Sequence, residues 1–183
     1  MGTETLRIAE PDDAPAIAAI YAPIVERTTI SFELTPPSVE EMRQRIQTKL
    51  KTHTWLVSLD ESRKVDGYAY GSQLRDRPAY QWSVEVTLYV RADRQRKGVG
   101  KKLYGALLPA LARKGFCEAF AGVALPNAGS IALHKSFGFE PVGVYRNVGY
   151  KQGTWCDVSW WQKSLRPRGQ PPPLSNPGGD LWF

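Results

Sequence analysis

The chain has 183 residues, 42% of them hydrophobic, and a formal net charge of +6, which is the size and apolar content of one domain with a substantial core. No apolar run approaches the roughly 20 residues of a membrane span, and the first residues lack the positive-then-apolar order of a signal peptide, so a cytoplasmic protein with no membrane partner is expected. Cys117 and Cys156 lie far apart and outside any Cys-x-x-Cys spacing, which argues against a zinc cluster or a disulfide framework and fits a reducing compartment.

Leu6 to Ala9 reads as a short strand, and Pro11-Asp12-Asp13 opens a helix whose Ile17, Ile20, Tyr21 and Ile24 share one face, with Pro23 bending its last turn. Ser38-Val39-Glu40-Glu41 has the spacing of a capping box and starts a second helix to about Leu50, with Met42, Ile46 and Leu50 inward. Thr54 to Leu59 and Val65 to Gly71, separated by a polar turn, predict an antiparallel hairpin. Residues 82–91 alternate, with Trp82, Val84, Val86, Leu88 and Val90 on one face and Ser83, Glu85, Thr87, Tyr89 and Arg91 on the other. A glycine-bearing basic turn leads from this strand into a helix to about Lys114, which Gly115 stops. A strand over 116–124, a short helix over 127–137 ended by Gly138, and two closing strands near 142–148 and 155–163 follow. The order β-α-α-β-β-β-α-β-α-β-β predicts an α/β fold, a mixed sheet with helices on both faces. One domain over residues 1–165 is expected. The Pro- and Gly-rich tail over 166–183 is expected to add little to its core.

The densest basic stretch, Arg91, Arg94, Arg96, Lys97, Lys101 and Lys102, is threaded with glycines at the strand-to-helix junction rather than spread along a helix face. That arrangement suits a compact polyanion such as a pyrophosphate better than nucleic acid, and no nucleic-acid partner is expected. Gln95-Arg96-Lys97-Gly98-Val99-Gly100 would gather unpaired N–H groups and the positive helix end at one spot. Glycine there lets backbone approach an oxygen without an intervening Cβ. A solvated loop at a helix start remains the alternative for the motif alone. A P-loop would need Gly-Lys followed by Ser or Thr, which is absent.

Strand, Gln-x-x-Gly-x-Gly, long helix, strand, then Asn127-Ala128-Gly129-Ser130 beginning a shorter helix that ends in Phe137-Gly138-Phe139 resembles the acetyl-CoA core of the GNAT superfamily. The resemblance spans roughly residues 5 to 164. It implies a splayed central sheet, acetyl-CoA as co-substrate, and no metal. Backbone groups of Leu88, Tyr89 and Val90 would meet pantetheine, Arg96, Lys97, Gly98, Val99, Gly100 and Lys101 would hold the pyrophosphate, and Asn127 would contact CoA. Ile30-Ser31-Phe32-Glu33, Arg75-x-Arg77-x-Ala79-Tyr80, Glu85 with Tyr89-Val90, and Gly149-Tyr150-Lys151-x-Gly153-x-Trp155-x-Asp157-Val158 resemble the branch of that superfamily acting on phosphinothricin and methionine sulfoximine. The branch implies a small amino-acid-like substrate, contacts to it from Phe32, Arg75, Arg77, Tyr80 and Glu85, and a homodimer.

Attack on a thioester needs a neutral amine, and an α-amine with a pKa of about 8 is mostly protonated at neutral pH. Glu85 is therefore the candidate general base, against the alternative of a solvated strand residue. His134 stands where many of these enzymes carry a tyrosine that protonates the leaving thiolate. It could shuttle that proton, or be a partly buried structural histidine beside Ile131, Leu133 and Phe137. Arg75 and Arg77 could each grip a substrate oxyanion with a planar fork, or be exposed charges. Acetylation of a protein amino terminus or a polyamine is the alternative activity, and a CoA-binding sensor the alternative from another class. Paired arginines disfavour a polyamine.

Overall fold

Alternation over residues 83–90 becomes the central strand of a seven-stranded sheet in the order β1-β2-β3-β4-β5-β7-β6. The computed structural model describes residues 5–167 and 169–174. Its strands are β1 (Thr5–Ile8), β2 (Trp55–Leu59), β3 (Val65–Gln73), β4 (Ser83–Val90), β5 (Glu118–Ala124), β6 (Glu140–Lys151) and β7 (Thr154–Ser164). Its helices are α1 (Ala14–Arg27), α2 (Val39–Leu50), α3 (Val99–Arg113) and α4 (Ala128–Ser136). The element order is the one the sequence predicts. All neighbours pair antiparallel except β4 and β5, which run parallel.

The helices divide between the two faces because adjacent strand residues point opposite ways. Trp55, Val57 and Tyr68 face α1 and α2, where they meet the fully buried Ile17 and Ile46. Leu56, Ala69, Val84 and Val86 face α3 and pack on Leu103, Leu107 and Leu111. Each such aliphatic side chain stabilises the fold by roughly 1.5–3 kcal/mol on burial. Ser38 caps α2 in a full capping box with Glu41, as its spacing predicts. Met42 and Ile46 point inward, while Leu50 is only partly buried. Helix α1 begins at Ala14, after a 3-10 turn over Pro11–Asp13, and carries Pro23 within it.

The tail departs from expectation. Leu174 packs against the α3-side core, and the Trp82 indole N–H donates to the Pro172 carbonyl at 2.8 Å. Residues 169–174 thus add to the core where the Pro- and Gly-rich composition predicts little contribution. The rest of the expected tail, 175–183, and residue 168 lie outside the described residues.

Candidate active site

Parallel pairing between β4 and β5 covers Ser83 with Glu118, Val84 with Ala119 and Glu85 with Phe120, and no further. Beyond Glu85, β4 stays paired to β3 as far as Val90 with Gly67, while β5 stays paired to β7 as far as Ala124 with Val158. Residues Val86 to Val90 therefore present one backbone edge, including that of Leu88, Tyr89 and Val90, to a gap in the sheet. Glu85 sits at the fork.

The turn after β4 supplies the second feature. Gly98 adopts φ +87° as the residue before α3, and a Cβ there would enter open space. Lys102 N–H bonds the Gly98 carbonyl, so the N–H groups of Val99, Gly100 and Lys101 precede the helix ladder and have no intrahelical acceptor. Arg96, Lys97 and Lys101 are exposed around them. This donor set fits a pyrophosphate. Arg91 and Arg94 do not belong to it: Arg91 is bound to Asp60 and Asp93, and Arg94 to the buried Asp66. Gly100 serves packing instead, since a Cβ there would lie 3.2 Å from Leu133 of α4 and 3.6 Å from Leu88. The Val99 side chain is likewise buried, against Gly67. Asn127 caps α4, its Oδ1 accepting from Ser130 N–H at 3.0 Å.

Glu85 lies on the sheet face shared by α1 and α2. Burial pushes its carboxyl above the usual carboxylate range, with the charges of Arg75 and Lys49 pulling the other way. The Arg75 guanidinium stands 5.7 Å from the Trp160 ring of β7 and donates to the Leu74 carbonyl. Arg77 and Tyr80 are exposed on the same β3–β4 loop, and no hydrogen bond or ion pair among the described residues joins either side chain to Glu85.

Phe32 belongs to a separate construction. Its ring lies so close on Gly149 of β6 that any Cβ there would collide with it. Two residues on, the buried Lys151 donates to the Ser31 carbonyl at 2.6 Å. The segments 30–33 and 149–158, far apart in sequence, are thus one docked unit. Glu33 in that unit accepts from both Arg45 nitrogens at 2.6 and 3.0 Å and from the Tyr21 hydroxyl at 2.9 Å. Burial pushes the Glu33 carboxyl up, but these donors outweigh it and hold the group below the usual range. Burial also pushes the Tyr21 phenol up to about 12.

His134 is buried between α3 and α4. A carbonyl can only accept, so Nδ1–H donates to Ser130 O at 2.7 Å, which leaves Nε2 to accept from the Tyr104 hydroxyl at 3.0 Å. Burial lowers its pKa, opposed by the Ser130 bond. Both ring nitrogens of His134 are thus hydrogen-bonded within the protein, Nδ1 to Ser130 and Nε2 to Tyr104.

Lys49 and Tyr70 join this neighbourhood, beside Trp160 of β7, without having been singled out in the sequence. Lys49 follows Ile46 by three positions, so it borders the buried stripe of α2, and its Nζ stands 5.1 Å from the Tyr70 ring. That border position is the signal an apolar-only reading of the helix passes over.

A sheet forked beside a glycine-started helix with open amides has the architecture of a coenzyme A-dependent acyltransferase. Residues 6–160 match the family described as the acetyltransferase (GNAT) domain. The chain belongs to that family and is an acetyl-CoA-dependent N-acetyltransferase. It is 34% identical over 169 residues to a phosphinothricin N-acetyltransferase of Streptomyces viridochromogenes, covering 92% of each chain. Identity is 33% over 169 residues to an L-methionine sulfoximine/L-methionine sulfone acetyltransferase of Pseudomonas aeruginosa, covering 92% of this chain and 98% of the relative. The crystal structure of a phosphinothricin acetyltransferase from Sinorhizobium meliloti in complex with acetyl-CoA is similar at a TM-score of 0.87 and 34% identity, over 97% of this chain and all of that one. No helix among the described residues is long and apolar enough to cross a membrane.

Proposed function

We propose that this enzyme acetylates the α-amine of a small amino-acid analogue of the phosphinothricin, methionine sulfoximine or methionine sulfone kind, or an arsenic counterpart, by direct attack without a covalent enzyme intermediate. One observation carries the reading: Glu85 lies at the fork of the sheet with two cations, Arg75 and Lys49, acting on it. An acceptor that is at once an amine and an acid suits a carboxylate base flanked by positive charge. A polyamine, positive throughout, does not. The names of the relatives support the same substrate class.

Acetyl-CoA, when bound, supplies the activated acetyl group. Val99, Gly100 and Lys101 would hold its pyrophosphate through their N–H groups, with Arg96, Lys97 and Lys101 neutralising charge and Gly98 keeping the approach open. The unpaired edge of Leu88, Tyr89 and Val90 offers backbone donors and acceptors to the pantetheine arm, and the Asn127 Nδ2 is the part of that side chain not used in capping. Glu85 accepts the proton from the substrate ammonium, directly or through one water. As the C–S bond breaks, the nitrogen sheds its second proton to solvent, and His134 or a water returns a proton to the departing sulfur. Arg75 is assigned to the acceptor pocket by its charge beside Glu85, and Phe32, Arg77 and Tyr80 by family resemblance alone. The free thiols Cys117 and Cys156 suit a cytoplasmic protein. The apolar edge strand β6 suits a homodimer, with Val142, Tyr145, Val148, Tyr150 and the neighbouring Trp155 each 50–61% exposed. A monomer by light scattering would remove the dimer.

The experiment is an acetylation screen reading thiol release from acetyl-CoA over phosphinothricin, methionine sulfoximine, methionine sulfone and the arsenic analogue, with spermidine and a peptide amino terminus as controls. Preference for an amino-acid analogue is expected. Better turnover of spermidine or the peptide would sink the substrate class, and no turnover of any amine would favour a CoA-binding sensor.

A further inference from the structure

The cations around Glu85 are not equivalent. Arg45, one turn before Lys49 on α2, is held by both Glu33 oxygens and has little left to offer a ligand. Lys49 has no carboxylate within ion-pair distance among the described residues, and its ammonium rests instead against the Tyr70 ring at 5.1 Å. Tyr70 in turn is stacked on Trp55 at 4.2 Å, so the platform under Lys49 is fixed by the core.

Register places this platform beside the base. Tyr70 pairs with Thr87 and Ser72 with Glu85. Thr87 and Glu85 therefore share a face on neighbouring rungs, roughly 7 Å apart along β4. Arg75 approaches from the other direction, over Trp160, which pairs with Gly122 across the β5–β7 ladder. Lys49 and Arg75 thus flank Glu85 from the β3 and β7 sides of the fork. A partly buried ammonium with only an aromatic face against it has given up water without gaining an anion.

We propose that Lys49 is a specificity-determining residue that binds an anionic group of the amino-acid substrate, opposite Arg75 across Glu85. The inference rests on the reading of this site as an amino-acid acetyltransferase and adds to it the second anchor for the acceptor. An amino acid with a side-chain acid carries two anionic groups, and two unpaired cations on either side of the base match them.

Lys49→Met keeps the stem over Tyr70 and removes only the charge. It should raise KM for phosphinothricin on the order of tenfold, as loss of a charge-assisted bond does, while KM for acetyl-CoA, and kcat measured on the alkaline side of the acid limb, stay within about twofold. Lys49→Arg should restore part of the loss. Methionine sulfone, whose only anion is its carboxylate, identifies the group bound. An unchanged KM for methionine sulfone assigns Lys49 to the side-chain acid, and a matching rise assigns it to the carboxylate. Unchanged KM for both substrates overturns the proposal, as does a shift in the acid limb of kcat with KM untouched, which would mean that Lys49 acts only on Glu85. Calorimetric binding of phosphinothricin to wild type and Lys49→Met separates the two levels. Binding that weakens in the variant, without acetyl transfer by wild type, overturns the proposed activity but keeps the Lys49 site, and absence of binding to wild type overturns both.

Discussion

As the proposed base, Glu85 would meet two opposed demands at one position: it must be ionised to take a proton, yet burial disfavours its charge. The charges of Arg75 and Lys49 oppose that effect of burial. Replacing it by Gln preserves shape and hydrogen bonding but removes proton acceptance, so kcat should fall about 10²-fold or more with KM for acetyl-CoA unchanged. Because the Glu85 pKa is raised, wild-type kcat should fall as pH drops through a value above the usual carboxylate range, where the group becomes protonated and inactive. That acid limb should be absent from Glu85→Gln. A variant with wild-type kcat at pH 7 would remove Glu85 from the mechanism. The position of Glu85 was legible beforehand, because a carboxylate on the polar side of an alternating strand stands out. His134 was legible as a position but not in its surroundings. Its decisive partner, the Tyr104 hydroxyl, lies 30 residues away on another helix, and nothing in local spacing says that α3 and α4 bring the two rings together.

Between β4 and α3, the two glycines that look alike in sequence separate by what surrounds them. Gly98 has φ +87° and open space where a side chain would go, whereas Gly100 has ordinary helical surroundings crowded by Leu133 and Leu88. Gly98→Val should raise KM for acetyl-CoA steeply, since its branches would occupy the space assigned to pyrophosphate. The positive φ adds roughly 1–2 kcal/mol of backbone strain. Gly100→Val should act on stability, lowering it by about 1–3 kcal/mol through overpacking against α4. Thermal denaturation and KM for acetyl-CoA, measured on both variants, check the division. Normal acetyl-CoA binding by a folded Gly98→Val protein would refute the pyrophosphate assignment. Periodicity announced strands, helices and this turn, but the parting of β4 from β5 was foreseen only through family resemblance. Alternation records which face a residue takes and is silent on where a neighbouring strand turns away. The docking of residues 30–33 on Gly149 and Lys151 was hidden for a related reason: it joins a loop to strand β6 through a ring, a missing Cβ and a carbonyl, none of which leaves a period.

Across the whole molecule, the segment 169–174 closes the end of the sheet opposite the fork. It passes Gly115, where φ is +102° and a Cβ would lie 3.0 Å from the Pro173 carbonyl, so the glycine that stops α3 also leaves room for the returning chain. Composition concealed this because a Pro-rich segment shows no helical or strand period, and its contacts are an indole N–H, the bare backbone at Gly115 and a single packed side chain, Leu174. The described contacts give a graded test. Trp82→Phe keeps the ring but loses the bond to Pro172, at a net cost of about 1 kcal/mol. Leu174→Ala removes part of a half-buried side chain, a further loss of roughly 1 kcal/mol at about 25 cal/mol per Å2 of apolar surface. Truncation after Arg168 removes both together and should cost roughly the sum, about 2 kcal/mol, which for a protein of this size is a fall of several degrees in Tm. Truncation should leave kcat near wild type at temperatures well below the transition, since Glu85 and the Gly98 turn are held by β3, α3 and their own cores. Adding Trp82→Phe to the truncated chain should then change Tm little, because the acceptor for the indole is already gone. A truncated protein with wild-type Tm, or a Trp82→Phe effect equally large with and without the segment, would show that the packing of residues 169–174 contributes nothing to stability.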